Sequence, residues 1–104
     1  MIRHVILWTF DSKLTEDEKK SAAAEIKEQL ESLCGVIDGL KQCSVYTERL
    51  DSSSADIMLD SVFENEAALA AYQTHPEHLK VKDLIVSVVC DRKCLDFPVI
   101  ANDI

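Results

Sequence analysis

The chain has 104 residues, 47% hydrophobic and 29% charged, a composition that supports one globular core and excludes a disordered chain. Nineteen acidic residues against eleven basic ones leave a net charge of −8, and no Lys/Arg cluster stands clear of acids, which argues against nucleic acid or an anionic membrane as partner. The apolar run Val5 to Trp8 is too short for a secretory signal, and no run of roughly 18 apolar residues exists for a membrane span, so the expected compartment is the cytoplasm.

Residues 2–10 read as a first strand. His4, Ile6, Trp8 and Phe10 point one way and Arg3, Val5, Leu7 and Thr9 the other, so its centre is apolar on both faces. Thr15 to Glu18 forms a capping box whose acidic first turn suits the helix dipole. Ala23, Ile26, Leu30 and Leu33 then mark one helical face, and Gly35 supplies the stop, giving a helix over about Thr15 to Cys34. A second strand follows from about Lys41 to Glu48. The serine-rich Arg49–Ser54 connection separates it from a third strand over Ala55 to Glu64, in which Ile57, Leu59, Ser61 and Phe63 share a face. Asp56 and Asp60 also share a face, and edge solubility is the simpler account of them than paired catalytic acids.

Asn65 is the expected N-cap of a helix over Glu66 to Thr74. Pro76 interrupts it, because the residue before a proline is pushed out of the helical region and proline suits a first turn. A new helix then presents Val81, Leu84, Ile85 and Val88 to the core, and a fourth strand runs from about Val89 to Phe97. The four cysteines, Cys34, Cys43, Cys90 and Cys94, contain no Cys-x-x-Cys pair and read as buried small hydrophobes.

The order is β-α-β-β-α-β over a single domain spanning 1–104. This is an α+β, ferredoxin-like arrangement with a four-stranded antiparallel sheet and its helices on one face. One apolar row of the first strand must then face away from the helices. A bare apolar sheet face is unusual for a monomer, so a homodimer packed through that face is expected.

The opening Ile2-Arg3-His4-Val5-Ile6-Leu7-Trp8-Thr9-Phe10 and the segment from Val62-Phe63-Glu64 through Tyr72-Gln73-Thr74-His75-Pro76-Glu77-His78 resemble the stress-responsive α/β-barrel domain (Dabb) family. The ending Asp91 to Phe97 is similar to that family's last strand. The departures are Cys34-Gly35 where Pro-Gly is common and Ala55 where an aromatic often stands. The resemblance implies a dimeric α/β barrel without implying one activity. A plant polyketide cyclase of this fold carries the same Tyr and His positions, where they close a ring in a poly-keto acid.

Two readings of the segment Tyr72 to His78 follow. In the first it is structural: Tyr72 buries its ring, His75 caps the broken helix, and the protein is a dimeric barrel of uncharacterised role with a pocket for an apolar or aromatic small molecule. In the second it is catalytic, in a cofactor-independent lyase, cyclase or oxygenase-like enzyme. There His78, near a positive helix end, acts as a neutral base, and Tyr72 donates to a substrate carbonyl. His4, Trp8 and His75 are the further candidates for lining such a pocket. The pair His75 and His78 is too weak a signal, with a proline between them, to assign a metal, and neither reading calls for a cofactor.

Overall fold

The computed structural model describes residues 1–100. Its elements are β1 (Ile2–Phe10), α1 (Glu16–Glu31), β2 (Leu40–Tyr46), β3 (Ile57–Phe63), α2 (Glu66–Thr74), α3 (Pro76–Val88) and β4 (Val89–Pro98). The strands form one antiparallel sheet in the order β2-β3-β1-β4, with the helices on one face. The expected ferredoxin-like architecture is therefore present, with its second helix divided in two. No helix among the described residues is long and apolar enough to cross a membrane.

The α1 capping box forms as expected: the Glu18 N–H donates to Thr15 Oγ1 and the Thr15 N–H donates to Glu18 Oε1. The α-helix stops at Glu31, earlier than the periodicity suggests. The chain continues as tight turns, in which Leu33 N–H reaches back to Leu30 and Cys34 N–H to Glu31. Leu33 still points into the core, which is why its spacing mimics another helical turn. The strands β2 and β3 are also shorter than expected. Their pairing ends at Tyr46 and Met58, and Asp56 instead bonds to β1, accepting the Phe10 N–H at Oδ2. Asp56 and Asp60 are partners of Arg49 and Arg3 rather than free edge carboxylates.

The core lies between the helices and the inward face of β1, β3 and β2. Ile26, Leu30, Phe63, Leu59 and Val45 are almost wholly buried there. The chain tightens most where α2 meets the turn before β2. Gly39 has φ +84°, and a Cβ built on it would lie 2.5 Å from the Ala68 Cβ. Only glycine satisfies both the backbone angle and the close approach.

The opposite face of the sheet carries Val5 and Leu7 of β1, with Met58, Tyr46 and Leu95 in register beside them. Leu7, Tyr46 and Leu95 are exposed, so the bare apolar face inferred from β1 exists in the protomer. The cysteines depart from expectation. Cys34, Cys90 and Cys94 are exposed, and only Cys43 is partly buried against the core; all four are free. Cys90 and Cys94 lie on the edge strand β4 and Cys34 in a surface turn, places the core does not reach. Burial pushes the Cys43 thiol up to about 12.

Candidate functional site

The site grows from the break between α2 and α3. His75 is extended, with φ −66° and ψ 133°, as proline demands of its predecessor. Its Nδ1 accepts the Glu77 N–H at 3.1 Å, so this ring caps α3. His78 then falls in the first turn of α3, and its ring lies over that of Tyr72, with centroids 4.0 Å apart and planes inclined by 33°. Behind Tyr72 comes Phe63 at 4.9 Å, and His4 meets both Phe63 and Tyr72 edge-on at 6.1 and 6.3 Å. The result is a column of four aromatic rings, two of them imidazoles, with His4, Phe63 and Tyr72 buried and His78 half-buried at its end.

His4 is the deepest polar side chain, at 1% exposure. It sits on the inward row of β1, and the antiparallel register sets it opposite Asp96 of β4. Its Nδ1 hydrogen-bonds Asp96 Oδ1, which fixes the ring and leaves Nε2 as its other nitrogen. Its backbone carbonyl accepts from Ser61 Oγ at 2.8 Å, so the other buried polar side chain is satisfied as well.

His78 differs. Its Nδ1 is buried and has no hydrogen-bond partner among the described residues. Burial holds the His78 pKa below the ordinary imidazole value. The nearby Gln73 carbonyl opposes this, while Lys82, His4 and Arg92 reinforce it. The ring is thus neutral near pH 7. Burial likewise raises the Tyr72 phenol, which stays protonated and able to donate.

Beside this column lies a cavity of about 480 Å³ between the sheet and the helices. His4, Ile6 and Trp8 of β1 form its floor, and Gln73 of α2 joins the lining. The α3 wall brings His78, Lys82, Ile85 and Val86, and the start of β4 brings Val89 and Arg92. Of the candidates named from sequence, His4, Trp8 and His78 meet at this cavity. Tyr72 lies behind the His78 ring and is 2% exposed, and His75 is engaged at the α3 cap rather than in the lining. The sequence reading missed Asp96, Lys82 and Arg92. The first was hidden by its distance along the chain from His4. Lys82 was legible, being one turn beyond His78 on the same side of α3.

Three groups here have the donor types of a metal site: His4, Cys94 and Asp96 offer ligand atoms all within 4.8 Å of one another. The His4 nitrogen in that set already bonds Asp96, and burial together with the Asp96 carboxylate pushes the Cys94 thiol up, which keeps it protonated. The trio reads as a hydrogen-bonded cluster at the edge of β4. The arrangement as a whole can shelter a small molecule, present a neutral imidazole to it, and back that imidazole with a tyrosine.

Solved structures share this architecture. A dimeric ferredoxin-like protein of unknown function from Bacteroides fragilis superposes with a TM-score of 0.89 at 24% identity, covering 94% of this chain and 95% of that one. A dimeric ferredoxin-like protein of unknown function from Thermobifida fusca does so with a TM-score of 0.80 at 24% identity, over 94% and 90% of the two chains. A hydroxynitrile lyase from Passiflora edulis gives a TM-score of 0.77 at 13% identity, over 96% and 94%. At these identities the likeness is one of fold. No curated protein matches in sequence. The family model described as the Stress responsive A/B Barrel Domain, Dabb, matches residues 2–99. With nearly its whole length matched, and the aromatic column and broken helix in place, the chain belongs to the Dabb family.

Proposed function

We propose that this protein is a homodimeric, cytoplasmic small-molecule-binding barrel whose ligand, apolar or aromatic and bearing a hydrogen-bonding group, occupies the cavity at His78. The observation that carries this reading is the cavity of about 480 Å³ itself, in which two imidazoles, His4 and His78, meet the apolar surface of Ile6 and Trp8. Apolar walls with a few converging polar groups are the usual make-up of a ligand site. The bare face formed by Val5, Leu7, Met58, Tyr46 and Leu95 supports dimerisation sheet to sheet, and the dimeric relatives agree with it. A monomer mass by size exclusion with light scattering at micromolar concentration would contradict the dimer.

A second reading, a cofactor-independent lyase or cyclase, is favoured by the Tyr72–His78 contact and the neutral state of His78. Neutral His78 takes a proton from the carbon beside a substrate carbonyl. The electron pair left behind forms the enolate, whose carbon attacks a second carbonyl of the substrate to close a carbon–carbon bond, and the imidazolium gives its proton to the alkoxide so formed. In the lyase direction His78 takes a hydroxyl proton, the carbon–carbon bond breaks as the carbonyl forms, and the imidazolium protonates the released enolate. Tyr72 supports the imidazole from behind.

The test is a thermal-shift screen of keto acids and aromatic metabolites on wild type, Tyr72→Phe and His78→Ala. The expected result is a ligand-dependent rise in Tm for wild type that is lost in His78→Ala and reduced in Tyr72→Phe. No shift for wild type defeats binding and catalysis together. A shift without turnover of the bound compound leaves the binding reading in force and removes the enzymatic one.

A further inference from the structure

We propose that the cavity takes an apolar carboxylic acid, with its hydrocarbon body against Ile6, Trp8 and Ile85 and its carboxylate held at the mouth by Lys82 and Arg92. The proposal rests on the reading of the cavity as a small-molecule site and names the charge class of its occupant.

The distribution of charge is the first support. In a chain of net charge −8, two exposed cations stand on opposite walls of one cavity, Lys82 on α3 and Arg92 on β4. Among the described residues neither makes an ion pair; Lys13, Lys20 and Lys41 share that state, but of these cations Lys82 and Arg92 alone line the cavity, and Arg3, Lys19, Lys27, Arg49, Lys80 and Lys93 are each paired. The opposing charge in the lining is Asp91, whose Oδ1 lies 3.4 Å from Lys93 Nζ. That contact draws Asp91 towards another cation, Lys93, and leaves Lys82 and Arg92 for a ligand.

The arrangement of polarity is the second. His78, Lys82, Ile85 and Val86 follow one another at helical spacing along one side of α3, so the cation sits one turn from the buried imidazole on the same strip. In the β1–β4 register Arg92 stands opposite Trp8, so it shares the inward face of the sheet with the cavity floor. Going inward, the lining changes from cations to imidazole to aliphatic and indole surface. An amphipathic acid matches that order from head to tail. A concave, partly apolar site focuses the field of such cations onto an anionic guest, and arginine adds two-pronged geometry for a carboxylate. A neutral guest makes no use of either cation, and a cationic guest is repelled by both.

Isothermal titration calorimetry on wild-type protein decides it, using hexanoate against hexanamide and 3-phenylpropanoate against 3-phenylpropanamide at low ionic strength. Each acid is expected to bind about tenfold tighter than its amide, with the preference shrinking as salt is added. The variants Lys82→Gln and Arg92→Gln each reduce the preference, and the double variant abolishes it. These positions are exposed, so the variants fold. Equal affinity for acid and amide in wild type, or a preference that survives in the double variant, overturns the carboxylate proposal and leaves the cavity reading intact. Absence of binding by both members of both pairs overturns the two together.

Discussion

The two edges of the sheet are built to opposite purposes. At the β2 edge the inward side is closed: Val45, Leu59, Phe63, Ile26 and Leu30 are each exposed by 1% or less. Even the backbone is held. Lys27 Nζ donates to the Val45 carbonyl at 2.7 Å and to Glu31 Oε2 at 2.8 Å, while Glu31 Oε2 accepts the Val45 N–H at 2.9 Å. One helical ion pair thus covers both polar groups of an edge residue that would otherwise face water or another chain. At the β4 edge nearly every residue is exposed, the helix stands off the sheet, and the gap is the cavity. Stability is concentrated on one side of β1, and that rigid side holds the functional groups on the other. A fold that packed both edges alike would have no room for a ligand.

Breaking the closed side should cost most. Leu30→Ala is expected to destabilise by about 2–5 kcal/mol, because a wholly buried leucine leaves a cavity that rigid neighbours cannot fill. Val86→Ala on the open side, 63% exposed, should stay within about 0.5 kcal/mol. Urea denaturation of the two variants measures the contrast directly, and similar losses would mean that the two sides are packed alike.

A smaller effect is expected at the clamp. Glu31→Ala removes the partner of the Val45 N–H and should cost about 1 kcal/mol, the typical worth of one such bond. The bond to Lys27 is the main cause that lowers the Glu31 pKa below its ordinary 4.5. The contribution is therefore present above pH 4.5 and is lost as pH falls through the lowered value. A pH series of unfolding midpoints for wild type and Glu31→Gln should converge in acid.

The smallest and most local effect belongs to His78. Its ring should titrate by NMR with a midpoint below the ordinary 6.5, because burial disfavours the imidazolium and Lys82, His4 and Arg92 add to that. The unfolded chain then takes up this proton first, so the contribution to stability is present above pH 6.5 and declines as pH falls through the lowered midpoint. Any activity that needs a neutral base follows the same lower limit. A midpoint at or above 6.5 would show that the imidazole is solvated, and the site would lose its base.

Much of this was legible in the sequence where the signal is local. The alternation of Ile6, Trp8 and Phe10 gave the buried face of β1, Thr15 and Glu18 marked the start of α1, and His75-Pro76 marked the division between α2 and α3. Patterning read as far as the presence of a bare face, because an apolar row on each side of β1 cannot be covered by helices on one side. Contacts between distant residues were not legible. His4 and Asp96 meet only because β1 and β4 pair in one register, and a shift of one residue would turn Asp96 to the other face. Tyr72 could be read from the sequence either as a buried ring or as a donor to a substrate, and only the pairing of α2 with α3 shows that the His78 ring lies over it. The exposure of Cys90 and Cys94 follows from β4 being an edge, which composition does not reveal.

The close approach of Gly39 to Ala68 sets how α2 rests on the molecule. Ala68 and Tyr72 are one turn apart on the same side of α2, and each meets a fixed support: the Gly39 backbone for the first, the Phe63 ring for the second. The helix lies across these two supports like a beam on two bearings. Thickening one bearing by a single methyl group would tip the beam and shift Tyr72 and Gln73 at its far end, and with them the seat of the His78 ring. The shape of the cavity is therefore governed in part by a residue that never touches it.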